Sequence, residues 1–159
     1  MPEIQLLANP GFETGLLAPW IPLGTVTVLT APPEPAHTGI KSVELDSNLT
    51  GASIFQTVLA PILPGSSLKL SFFMRRDAGC PTDITAIVTP LGALPVIIIS
   101  VPAASNPGIE EDEWEYYEGF SGPLPFGAPF GVTVTITIAG VLKGDAQVVF
   151  DDIFLVVDI

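Results

Sequence analysis
Apolar and hydroxyl side chains alternate strictly over Val132-Thr133-Val134-Thr135-Ile136-Thr137-Ile138. Successive residues of an extended strand point to opposite faces, so this period of two predicts a half-buried strand with its threonines outward. Leu68-Lys69-Leu70-Ser71-Phe72 repeats the alternation. Strand-like runs recur at roughly Glu3–Ala8, Leu23–Thr30, Ser42–Asp46, Ala52–Leu59, Ser67–Arg76, Asp83–Thr89, Leu94–Val101, Glu113–Phe120, Val132–Ala139 and Gln147–Val157. No window of useful length has a helical period. Ile97-Ile98-Ile99 is apolar on both faces. Two arrangements account for that: a central strand covered on both sides, or a strand whose outer face meets another chain. About ten strands divided by Pro- and Gly-containing turns predict an all-β fold, a two-sheet antiparallel sandwich.

Composition narrows the function classes. The chain has 159 residues, 48% of them hydrophobic and only 14% charged. That length suits a single domain, 1–159, with a sizeable core and no internal repeat or linker. The 17 Pro and 15 Gly lie between apolar runs, as turn residues do. The net charge is −12, with five Lys and Arg in all. A nucleic-acid partner needs a basic face that so few cations cannot build. The same shortage disfavours an anionic membrane surface. The longest apolar run, Leu94 to Val101, is interrupted by Pro95 and far shorter than the ~20 residues of a spanning helix, so no membrane insertion is expected. Met1-Pro2-Glu3 lacks the basic start of a signal peptide, which suits a protein made inside the cell. Cys80 is the one cysteine and is read as an incidental thiol.

Candidate chemistry centres on two distant stretches. Near the start, an apolar run meets Asn9-Pro10-Gly11, a turn sequence, followed at once by Phe12 and Glu13. Near the end, Phe150-Asp151-Asp152-Ile153 sets two acids inside an apolar strand. Acids in such surroundings require a partner, and alternation turns one of the two inward.

The order NPGFETG–APW, His37-Thr38-Gly39-Ile40-Lys41-Ser42-Val43, IFQTV, PGSSLKLSF and VVFDDIFLV covers nearly the whole chain. In that order and spacing it resembles the galactose-binding-like jelly rolls of carbohydrate-binding modules. It is similar, more narrowly, to the N-terminal domains of collagen-like triple-repeat proteins of spore-forming bacteria. The resemblance implies a jelly-roll sandwich with a structural calcium where the first strands meet the last. Its ligands would be Glu13, Asp151 or Asp152, and a backbone carbonyl near Lys41, with His37 a turn residue before that carbonyl. Hard cations take such mixtures of carboxylate and carbonyl oxygen. The resemblance also implies a place at the cell or spore surface.

Sugar binding in this fold uses exposed aromatic faces. Trp20 and Trp114 fall on positions that are core in the resembled modules. Tyr116 and Tyr117 are adjacent in one strand, so only one of them can face a ligand. Catalysis is not expected. Glu110-Glu111-Asp112-Glu113 is a solvated acidic run, and a single histidine, His37, forecloses most catalytic constellations.

The apolar segments Pro61-Ile62-Leu63-Pro64, Leu91–Ile99 and Pro123-Leu124-Pro125-Phe126 are candidate contacts of a homo-oligomer, with Val96, Ile97, Ile98 and Ile99 as its centre. The main expectation is a non-catalytic, self-assembling surface module, a head domain of a spore-surface or filament protein. The alternative is a carbohydrate-binding module that takes a glycan partner. An exposed aromatic pair lining a groove would favour the second, a large apolar contact surface the first.

Overall fold
The structure, a computed structural model, describes residues 3–30, 36–76, 82–103, 114–140 and 146–158. Their regular structure is entirely extended: β1 (Glu3–Gln5), β2 (Ile21–Leu23), β3 (Thr25–Thr30), β4 (Lys41–Ser47), β5 (Ala52–Val58), β6 (Ser67–Arg76), β7 (Ile84–Pro90), β8 (Ile97–Val101), β9 (Glu115–Pro123), β10 (Val132–Ile138) and β11 (Ala146–Asp158). One sheet runs β3-β4-β11-β6-β9 with β1 added on β11; the other runs β2-β5-β10-β7-β8. All pairings among these strands are antiparallel. The all-β, two-sheet antiparallel sandwich read from the alternation is the fold of this chain.

The alternation decides what lies between the sheets. Val132, Val134, Ile136 and Ile138 are fully buried, while the intervening threonines of β10 face outward. Leu68, Leu70, Phe72 and Met74 of β6 oppose them from the other sheet. Burying each such side chain contributes about 1.5–3 kcal/mol. Arg76 is buried at the distal end of β6, where Glu115 and the Pro102 carbonyl accept its guanidinium N–H groups. Glu115 also accepts the Tyr117 hydroxyl.

β11 changes neighbours halfway along. Residues 146–150 pair with β4, residues 156–158 pair with β1, and β6 pairs along the other edge at residues 148–151 and 154–158. The register against β6 shifts between Asp151 and Phe154, a bulge at the point of exchange. Asp151 and Asp152 therefore sit where the six-stranded sheet lacks a strand on one side.

The strand boundaries depart from the sequence reading in ways that turns explain. The run Leu23–Thr30 is divided by Gly24, whose φ of +80° breaks the extension and leaves Ile21–Leu23 as a separate edge strand. Glu3–Ala8 stops pairing in the ladder at Gln5, and the run from Leu94 becomes strand only at Ile97. The central-strand account of Ile97-Ile98-Ile99 is corrected: β8 is an edge strand. Ile97 and Ile99 enter the core while Ile98 is 62% exposed. Cys80 and Glu110 to Glu113 lie outside the described residues.

The loops at 59–66, 91–96 and 124–131 gather at one end, tied by Ile62–Ala128 backbone bonds and by Leu91 N–H to the Gly131 carbonyl. The three candidate contact segments thus share one tip, where Leu63, Leu94 and Phe126 stand exposed. Beside it the sandwich closes where β8 packs on β9 across Gly119. A Cβ there would lie 2.8 Å from Ile97 Cγ2 and 2.9 Å from Ile99 Cγ1. Gly119→Val should therefore push β8 away and cost about 1–3 kcal/mol, read as a lower denaturant midpoint at unchanged m-value. An unchanged midpoint would mean that β8 is not held at this distance.

Candidate functional site
The junction on β11 is built by backbone that cannot enter a ladder. Asn9-Pro10-Gly11 turns the chain after β1, and the Pro10 carbonyl accepts Ile153 N–H. Asn9 and Phe12 take positive φ of 50° and 60°, and so does Asp152 at 50°. Such values are strained in a bulky residue and persist only where surroundings enforce them. Phe12 is held by complete burial against Trp20, whose indole N–H donates to the Asn9 carbonyl.

Three carboxylates take up the orphaned donors. Asp151 Oδ2 accepts the N–H groups of His37 (2.9 Å) and Thr38 (3.1 Å), and its Oδ1 accepts Asp152 N–H. Asp152 accepts the Thr38 hydroxyl at 2.6 Å and meets His37 Nδ1 at 2.7 Å. Glu13 accepts the N–H groups of Ile40 and Lys41 at 2.9 and 2.7 Å. Gly39, at φ +66°, allows that approach; a Cβ there would run into the Glu13 carboxylate.

Sequence reasoning therefore located the three acids at one place and assigned different atoms to them. It is the amide N–H of Lys41 that meets Glu13. His37 does more than turn the chain: its ring stacks on Phe73 at 3.5 Å while bonding Asp152. Asp151 becomes fully buried by the 37–38 backbone laid over it, on the face opposite core Phe150. Calcium was implied here, on Glu13, Asp151 or Asp152 and a backbone carbonyl near Lys41. Each of the six carboxylate oxygens already accepts a protein donor. Among the described residues no group of three His, Cys, Asp or Glu side chains is arranged to hold a metal.

Two glutamines, which the sequence reading did not single out, continue the same task. The Gln56 amide pairs in both directions with the Ala8 backbone, at 2.8 and 3.0 Å. Gln5 Oε1 accepts Leu155 N–H at 2.9 Å.

A second site lies on the outer face of the six-stranded sheet. Phe73 is opposite Tyr116, Ser71 opposite Glu118 and Lys69 opposite Phe120 across β6 and β9, while Phe154 of β11 faces Ser71 from the other side. Tyr116, Phe120 and Phe154 are 47%, 64% and 38% exposed. The three rings thus surround a polar centre of Lys69, Ser71 and Glu118. Tyr116 and Phe120 are four residues apart on one face, about 13 Å along the strand. The Tyr116 hydroxyl donates to Glu118 at 2.9 Å, and its ring packs on Phe73 at 4.9 Å. A hollow of about 120 Å3, lined by Ser67, Lys69, Phe120, Val156 and Asp158 among others, adjoins them. Tyr117, the other candidate, is corrected: it points inward, 5.8 Å from Phe72, and burial with the Glu115 bond pushes its hydroxyl up to about 12. Trp20 is core as expected. Trp114 is only half-buried, edge-on to His37 at 5.6 Å, with the Arg75 guanidinium 5.7 Å from its ring. Phe120 and Phe154 escaped notice because alternation alone does not say which face of a sheet is outer.

Burial pushes the Asp151 carboxyl up from 3.8 to about 6, reinforced by the Asp152 charge and opposed by the backbone N–H groups of Thr38, Asp152 and His37. The folded carboxyl then holds its proton more tightly than the unfolded one. Its contribution to stability is complete below the unfolded value and is lost as pH rises through the folded one. Relative to Asp151→Asn, which has no such proton, the wild type should gain stability as pH falls from about 6 to about 4. Denaturant midpoints of the two proteins across that window check this, and a constant difference would contradict it.

No protein-family model matches this chain, and neither does any curated protein. Solved structures do. The chain is similar to TmCBM61, described in complex with β-1,4-galactotriose, with a TM-score of 0.71 and 24% identity over 96% of this chain and 97% of that one. It is similar to a cyclase from Fischerella sp. TAU, with a TM-score of 0.72 and 16% identity over 99% and 98%. A structure from the carbohydrate-binding modules of the β-sandwich superfamily gives 0.65 and 17%, over 91% of this chain and 60% of the other. At these identities what is shared is the fold, a two-sheet antiparallel sandwich.

Proposed function
We propose that the chain is a non-catalytic carbohydrate-binding module that holds a glycan on the outer face of the six-stranded sheet. The observation that carries this reading is the platform of Tyr116, Phe120 and Phe154 around Lys69, Ser71 and Glu118. Sugar rings present C–H faces that pack on aromatic rings, and hydroxyls that need donors and acceptors beside them. The face supplies both. The sandwich shared with TmCBM61 and with the β-sandwich modules supports the same choice. A net charge of −12 directs it to neutral glycans over uronates or sulphated chains. The spore-surface placement suggested by the resemblance has no counterpart among the structures described above.

The cyclase has the same sandwich, so fold alone does not decide catalysis. The non-catalytic part rests on the acids. Asp151 and Asp152 are bonded to the backbone and side chains of His37 and Thr38, where they hold that loop in place.

Binding to an array of neutral plant and microbial oligosaccharides, β-galactans included, tests the reading. Tyr116→Ala and Phe120→Ala should each weaken the best hit about three- to tenfold, the worth of one stacking partner. Tyr117→Phe, half-buried on the other face, should leave affinity unchanged. An array without hits would end the proposal.

Calcium at Glu13, Asp151 and Asp152 would share carboxylate oxygens that already accept hydrogen bonds from the 37–41 segment and from Asp152 N–H. Melting chelator-treated protein with and without added calcium tests for the ion. The full donor set leads us to expect the same melting temperature in both. A calcium-dependent rise, following the mass-action stabilisation of a ligand that binds only the folded state, would show that the ion wins.

A further inference from the structure
Charge is divided unequally between the two layers of the sandwich. Stretches 47–68, 84–103 and 119–140 hold no charged residue, in a chain with 17 acids. They include β5, β7, β8 and β10, and β2 (Ile-Pro-Leu) is uncharged too. The five-stranded sheet therefore has no charged side chain anywhere in its strands.

Its outer face is also ordered. The pairing register places Ile21, Phe55, Thr135, Ile87 and Ile98 in one row across all five strands. The ends of that row, Ile21 and Ile98, are 50% and 62% exposed. Short hydroxyl side chains flank it, with Thr57, Thr133 and Thr89 forming the next row and Thr57 bonded to Thr133 at 3.0 Å. An apolar stripe on a face of methyl-bearing threonines has no charge to keep it in water.

We infer that this face docks a second copy of the chain, sheet against sheet. The charge distribution selects that occupant. An anionic partner would find no cation on the face. A cationic partner would find no acid there and would be drawn to the six-stranded layer, with its Glu44, Asp46, Glu118 and Asp158. A second copy meets uncharged surface with uncharged surface. Sheets stack about 10 Å apart, so a four-layer dimer places its two acidic outer faces about 30 Å from each other. That is several times the ~8 Å screening length at physiological salt, so the repulsion of two −12 chains is largely removed in this geometry. Back-to-back docking through the other sheet would press the acidic faces together. Five strands of three to seven residues give a footprint of roughly 450 Å2 per partner, below the ~800 Å2 of a standard stable interface. The dimer is accordingly weak and reversible.

Sedimentation velocity from micromolar to millimolar protein, at low and high salt, tests this on the whole chain. A concentration-dependent monomer–dimer equilibrium that strengthens with salt is expected. Ile98→Lys and Thr137→Lys, both at exposed positions of the face, should each shift it to monomer while circular dichroism remains that of the wild type. Should one of them unfold, the other still reads the face. Phe120→Ala, on the opposite sheet, should leave association intact, which separates this result from any loss of glycan binding. A wild type that stays monomeric throughout overturns the inference, as does a dimer indifferent to both lysine variants. So does a monomer that co-floats with zwitterionic phosphatidylcholine vesicles, for then a lipid surface covers the face.

Discussion
A strand that exchanges its neighbour must leave amides unpaired at the point of exchange. β11 gives up β4 after Phe150 and takes β1 at Val156, and between them the sheet has no strand to supply carbonyls. Buried N–H groups without acceptors cost about 1–3 kcal/mol each, so the region must find oxygen elsewhere. On β11 itself the oxygens come from Asp151 Oδ1 for Asp152 N–H, the Pro10 carbonyl for Ile153 N–H and Gln5 for Leu155 N–H. The other five carboxylate oxygens of Glu13, Asp151 and Asp152 hold the backbone and side chains of 37–41 over the gap. Gln56 satisfies the Ala8 backbone with its amide. Much of what is unusual here follows, including the left-handed Phe12 and Asp152, Gly39 and the His37 ring laid flat on Phe73.

This explains which parts of the chain were legible in sequence. Alternation is a local property, so β10 and β6 could be read residue by residue, and with them the fold. The acids were noticed because carboxylates inside an apolar strand contradict their surroundings. Their partners were not legible, because the donors are backbone N–H groups at 37, 38, 40 and 41, and every residue except proline has one. Tyr116 and Tyr117 were separable as opposite faces, yet only the pairing of β9 on β6 shows which face is outward. Ile98 was ambiguous for a related reason. An apolar outward side chain looks the same in a covered central strand and in a bare edge strand, and neighbour order decides between them.

The two layers carry different chemistry. The six-stranded sheet holds the acids, most of the described cations, and rings set among polar groups, which suits reversible contact with something hydrated. The strands of the five-stranded sheet are rich in Val, Ile and Thr and carry no charge, which suits contact with something dry. One hydrophobic core serves both, since its inward positions on each sheet are filled by the same kinds of residue. A substitution on either outer face can thus alter one property while the interior stays as it is.

The short pairing of β1 with β11 has a mechanical meaning. Glu3 lies beside Asp158 in the first of only three residue pairs before the Asn9 turn. Tension applied between these two positions would pull antiparallel neighbours apart from their shared end, so their hydrogen bonds would open one after another instead of being sheared together. Resistance would rise only when the peeling front reached the Gln5 and Gln56 bonds and then the buried Phe12. A protein stretched through this module would therefore lengthen by a few residues at low force and meet its first firm stop at the turn.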